Sequence, residues 1–149
     1  MHYCRTWLMS ILVALVLSAC GGVGEPPAAT KATPEMVMQQ MMTALDQEDI
    51  VTIQKLLDPQ MPYRDVTITN GLRLWKERRR DYKQYRRENA LGPVVKTTIE
   101  PTEQLGETTK IRALIEHEYG VSDLTLMLKP TADGYQVANW DTRVVKSSP

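Results

Sequence analysis

A chain of 149 residues is one domain's worth, with little left over for a second. Its 18 Lys+Arg balance 18 Asp+Glu, so no global charge draws it to nucleic acid or to an anionic surface. There is no Phe, but eight Met, six Tyr and three Trp are present, and Met fills irregular core space where Phe would otherwise pack.

The first seven residues carry one positive charge, Arg5, and Leu8 to Leu17 is an apolar run interrupted only by Ser10. Such a run is too short to span a bilayer, which takes roughly 20 residues, and it suits the core of an export leader. It ends in Leu17-Ser18-Ala19-Cys20, followed by Gly21-Gly22. This resembles the lipobox of bacterial lipoproteins. The resemblance implies cleavage between Ala19 and Cys20 and diacylglyceryl attachment to the Cys20 thiol. An ordinary leader cut at the same bond would want a small residue where Leu17 stands. Acyl chains contribute about 0.8 kcal/mol per buried methylene, so two or three of them anchor a protein stably. The expected location is therefore outside the cytoplasm, lipid-anchored to the outer face of the cell membrane. Gly21 is not the Asp that resembles an inner-membrane retention signal, so in an organism with two membranes the outer one is expected.

Removal of residues 1–19 deletes Arg5 and no acid, leaving 17 bases against 18 acids. Cys4 would leave with the leader and Cys20 would be capped. The mature domain would then have no disulfide, thiolate nucleophile or Cys-ligated metal. Residues 20–33 read as the lipidated Cys and a flexible tether, rich in Gly, Ala and Pro. A single domain is expected over residues 34–149.

That domain opens on Thr33-Pro34-Glu35: an N-cap, a proline at the first helical position and an acid in the first turn. The first helix places Val37, Met41, Ala44 and Leu45 on one face. After a polar break at 46–49, Asp49 caps a second short helix with Ile50, Ile53, Leu56 and Leu57 in a stripe, ended by Asp58-Pro59. Met61 to Thr69 reads as a loop. Thr69-Asn70-Gly71 then opens a third helix running to about Ala90, with Leu72, Trp75, Tyr82 and Tyr85 inward, stopped by Gly92-Pro93.

From Val94 the period changes to two. Four strands are expected: Val94 to Glu103, Thr108 to Tyr119, Val121 to Lys129 and Tyr135 to Val145. Turns at Gly106, Gly120 and Asp133-Gly134 make them antiparallel neighbours. Leu124, Leu126 and Leu128 share one face; Asp123, Thr125 and Lys129 share the other. The fold class is α+β, three N-terminal helices on a four-stranded antiparallel sheet. The element order, the acidic break Ala44-Leu45-Asp46-Gln47-Glu48-Asp49-Ile50 and the final-strand segment Gly134-Tyr135-Gln136-Val137-Ala138 resemble the nuclear transport factor 2-like superfamily. That resemblance covers roughly Pro34 to Val145. It implies a curved sheet wrapped around its helices as a cone.

Enzymes of that superfamily, isomerases and cyclases, place a carboxylate base and a Tyr or acid donor inside the cone. The first helix here turns only Met, Val, Ala and Leu inward, so the Tyr donor is missing. His117 shares parity with Ile111, Ala113, Ile115 and Tyr119 and would be the acid or base if that face lines a pocket. Tyr119, Asn139, Trp140 and Asp141 are the candidates to share that pocket. A structural His near a strand end is the competing reading, and no catalytic residue is assigned.

Lys76, Arg78, Arg79, Arg80, Lys83, Arg86 and Arg87 put seven positive charges within twelve residues. Arg79, Lys83, Arg86 and Arg87 are the candidate contacts to an anionic surface such as lipid headgroups. Export argues against nucleic acid. A solvated helix face, with Glu77 and Asp81 paired to neighbouring bases, is the plainer reading. Met36, Met38, Met41 and Met42 read as core rather than a copper site, and no cofactor or metal is expected. The partners expected are the membrane, through the lipid, and an envelope protein or small apolar ligand. An open cavity with a buried polar cluster around His117 would favour an enzyme or ligand binder, and a cone filled by Met41, Leu45, Trp75, Leu126 and Trp140 a structural or interaction role.

Overall fold

The computed structural model describes residues 31–80 and 90–147. Ala19, Cys20, Tyr82, Lys83, Tyr85, Arg86 and Arg87 lie outside the described residues. Helix α1 spans Pro34–Gln47, and the Thr33 hydroxyl accepts from the Met36 N–H at 3.3 Å, as the N-cap pattern demands. Glu48 ends it in the left-handed region, with φ 55°. Asp49 then caps α2, Ile50–Leu56; its carboxylate accepts from the Thr52 N–H at 3.1 Å and the Thr52 hydroxyl at 2.6 Å.

Helix α3 departs from the sequence expectation at both ends. It spans Arg64–Arg78, so the expected loop loses its last six residues to helix and Thr69-Asn70-Gly71 lies mid-helix. Tertiary packing overrides weak local propensity there. Gly71 is buried directly beneath the Trp140 indole, where an added Cβ would collide with the ring. The Thr69 hydroxyl turns back onto the Asp65 carbonyl at 2.9 Å. At the far end the helix stops at Arg78 rather than near Ala90. The returning chain takes over its end groups, with Leu91 N–H donating to Arg78 O at 2.8 Å and Gly92 N–H to Arg80 O at 3.0 Å.

The sheet has five strands, not four: β1 Val94–Ile99, β2 Glu103–Leu105, β3 Thr108–His117, β4 Gly120–Thr131 and β5 Gly134–Ser147. The extra strand arises because the expected Val94–Glu103 strand breaks at Pro101, which has no N–H for the ladder. Both halves pair antiparallel with β3, and the order is β1-β3-β4-β5 with β2 beside β1 on the edge. Glu118 and Tyr119 form the β3–β4 turn rather than extending a strand.

Ile111, Ala113, Ile115, Leu124, Leu126 and Leu128 face the helices and are at most 2% exposed. Each large one contributes about 1.5–3 kcal/mol by leaving water. In β5 a bulge lies between the pairs Met127↔Asn139 and Leu128↔Val137, so Ala138 is an extra residue. It lets Val137 and Trp140, which differ in parity, both face the core. On the outer face of β4, Asp123 is nonetheless buried: it meets Arg112 at 2.9 Å and accepts from the Arg143 N–H at 3.0 Å.

The two ends of the domain differ. One carries the β4–β5 turn, the start of α1 and the α2–α3 loop: Ala32 N–H donates to Asp133 O at 3.3 Å and Asp58 N–H to Val137 O at 2.9 Å. The other carries the β3–β4 turn, the segment 90–93 and the end of α3. No helix among the described residues is long and apolar enough to cross a membrane.

Candidate functional site

Met41, Leu45, Trp75, Leu126 and Trp140 all belong to one buried cluster, none more than 6% exposed. The space between helices and sheet is thus occupied by the chain's own side chains. Met38 joins this core, Met42 packs partly against it, and Met36 is exposed.

Concavity appears at the edge instead. A groove of about 600 Å³ opens between α1, the last turn of α3 and β1. Gln39, Met42, Thr43 and Asp46 form its α1 wall; Trp75 and Arg79 come from α3; Pro93, Val94 and Thr97 form the sheet wall over Ile115. Its polar centre is a three-residue unit. Trp75 Nε1 donates to Asp46 Oδ1 at 2.7 Å, Arg79 Nη2 meets the same oxygen at 2.6 Å, and the guanidinium lies 4.2 Å from the Trp75 ring centroid. The cation–π contact and the ion pair fix Arg79 in one place. Burial raises the Asp46 pKa, against the opposing pull of Arg79. Burial lowers that of Arg79, and Asp46 opposes it. A second cleft of about 520 Å³ runs between α2 and α3 over Ile68 and Leu72.

The candidate pocket residues are not gathered in either place. His117 is 8% exposed and both its ring nitrogens are engaged: Nδ1 with Gly92 O at 2.9 Å and Nε2 with Ser122 Oγ at 2.9 Å. A carbonyl only accepts, so Nδ1 carries the proton and Nε2 accepts from the Ser122 hydroxyl. Burial depresses the His117 pKa most, Arg79 and Arg78 depress it further, and the Gly92 bond opposes them. Tyr119 stacks over Gly92, and its hydroxyl donates to Glu118 at 2.6 Å. Asn139 and Asp141 lie far along the sheet. In register His117 sits opposite Gly120, and Gly120 opposite Ser147, six residues beyond Asp141, or about 20 Å of strand. Asn139 accepts from the Trp140 N–H, Asp141 pairs with Arg143, and Trp140 is a core residue whose Nε1 has no partner among the described residues.

What His117 and its neighbours do is hold the groove wall. Tyr119 N–H donates to Leu91 O at 2.9 Å, His117 Nδ1 to Gly92 O, and Glu118 N–H to Pro93 O at 3.1 Å. Three successive carbonyls are thereby pinned just before Val94 enters the groove.

Of the basic residues, Arg79 lines this groove with its side chain 30% exposed, and Arg78 is 4% exposed. Glu77 pairs with Arg73 at 3.2 Å. Asp46 was legible only as part of a polar break. The spacing of Trp75 and Arg79, one helical turn apart, was the available signal that they share a face.

Among the described residues no cluster of three or more His, Cys, Asp or Glu is placed to hold a metal. Compared with protein-family models, curated proteins and solved structures, the chain gave no match to any.

Proposed function

We propose that the chain is an exported lipoprotein, acylated at Cys20, whose domain binds a protein partner in the cell envelope and does not transform it. The anchor reading is supported by the apolar leader and by Leu17-Ser18-Ala19-Cys20. Three helices ahead of an antiparallel sheet support a nuclear transport factor 2-like cone. The observation that carries the binding role is where space remains: the interior is filled, and the groove at Asp46, Trp75 and Arg79 is open. Its wall, β1, is an edge strand that among the described residues pairs only with β3, so an extended partner segment would find backbone groups beside a mixed apolar and charged surface. The isomerase or cyclase alternative draws less support, since both His117 nitrogens are already engaged.

The test has two arms. The mature protein, isolated from membranes, should have lost residues 1–19 and gained acyl mass at Cys20, with Cys20→Ala unacylated. A photo-crosslinker placed at Thr97 should then give an adduct in cells that one at Val51 does not, and Arg79→Ala should abolish it. An intact leader on an unmodified thiol, or adducts indifferent to position, would overturn the reading.

A further inference from the structure

The sheet end that carries Tyr63 has a feature that folding alone does not account for. Tyr63 is 83% exposed and held at φ 54°, in the left-handed region, immediately before α3. A non-glycine residue there costs about 1–2 kcal/mol, and Tyr63 sets no side-chain cap on the helix in return. Leu105, 42% exposed, lies at the same end: Leu105 pairs with Thr108, Thr109 with Leu128, and Lys129 reaches Asp58 at 3.7 Å.

The chain also enters the fold at this end. Ala32 bonds to Asp133 and packs so closely on Gly134 that a Cβ there would collide with the Ala32 backbone. Ten residues of chain lie between Cys20 and Lys31. Fully extended, the eleven steps from Cys20 to Lys31 reach about 38 Å at most. An anchor at Cys20 therefore joins the domain at its Ala32 end.

We infer that this end is the membrane-facing surface, with Tyr63 and Leu105 seated at the headgroup boundary. An aromatic ring with a polar tip is the side chain that boundary favours. Two nearby lysines are paired, Lys129 with Asp58 and Lys110 with Glu103, so the ring rather than these cations makes the contact. The groove is then turned away from the membrane, toward a partner. This inference rests on acylation of Cys20.

The experiment uses the full chain, purified from membranes, its acyl mass checked first, in vesicles of phosphatidylethanolamine and phosphatidylglycerol. Once Cys4 is cleaved off and Cys20 capped, a thiol introduced by Tyr63→Cys or Val95→Cys is the sole site for a nitroxide. Val95, 70% exposed on β1, reports on the opposite end. The label at 63 should show a severalfold higher ratio of oxygen to nickel-chelate accessibility than the label at 95. Equal ratios on acylated protein would overturn the orientation alone. An unmodified Cys20 would overturn the anchor itself.

Discussion

His117 Nδ1 donates to the carbonyl of Gly92 at 2.9 Å, joining the end of β3 to the segment that returns from α3. The opposite ring nitrogen accepts from Ser122, a residue 1% exposed. One imidazole thus satisfies two buried polar groups and fixes the backbone on which Pro93 and Val94 line the groove. A sequence reading sees a titratable residue of inward parity; the structure makes it a strut.

His117→Ala strands both partners, and unsatisfied buried groups cost about 1–3 kcal/mol each. Urea unfolding should show a loss of that order. A loss below about 0.5 kcal/mol, the range of an ordinary surface change, would contradict the strut role.

The same residue sets a pH dependence. Its folded pKa lies below the ordinary value of 6.5, so below that pH the unfolded chain binds a proton that the folded state resists. Stability should fall as pH drops from about 6.5 through the folded pKa, then level off, with no contribution above that window. Carboxylates add their own slope in acid, so the difference between wild type and His117→Gln isolates the effect. A flat difference curve from neutrality downward would rule it out.

Gly71→Ala in an exposed helix would gain about 1 kcal/mol from propensity. Here the added methyl meets Trp140, and overpacking of this kind costs about 1–3 kcal/mol. The net change should be destabilising. Gly71→Ala combined with Trp140→Leu should recover part of the loss, and a stabilised single variant would show that the indole does not sit there.

Arg78 is buried with both terminal nitrogens on Thr142: one on the hydroxyl, the other on the carbonyl at 2.6 Å. Burial lowers its pKa while Asp123 and Asp141 oppose that. A lysine has no planar fork to span both oxygens. Arg78→Lys should therefore lose about 1–3 kcal/mol in denaturant unfolding. Unchanged stability would mean that the fork is dispensable.

The helix starts at Thr33 and Asp49 were legible because a cap is a local event, one side chain meeting an N–H three residues on. The leucine alternation of β4 was legible for the same reason. The start of α3 was not, because Thr69-Asn70-Gly71 carries every local mark of a boundary and is overruled by an indole sixty-nine residues away in sequence from Gly71. The bulge at Ala138 was hidden too, since period two has no symbol for a residue that belongs to neither face. The groove was the least legible feature. Asp46, Trp75 and Thr97 come from three elements, and only the register that sets β1 beside β3 brings them together.

Tyr63 separates stability from placement. Relieving its left-handed backbone with Tyr63→Gly removes a cost of about 1–2 kcal/mol. Part of that gain, about 1 kcal/mol, is given back to the greater freedom of glycine in the unfolded chain. The domain should therefore become slightly more stable or stay unchanged. Tyr63→Asn keeps a residue tolerant of that region and should do the same. Both changes remove the ring from the membrane-facing end, so acylated protein carrying either should tumble more freely at the vesicle surface, read as faster anisotropy decay of a label at position 95. Were a variant to lose several kcal/mol, Tyr63 would be a packing residue despite its exposure. Were mobility unaltered, the ring would be exposed for some reason other than contact with lipid.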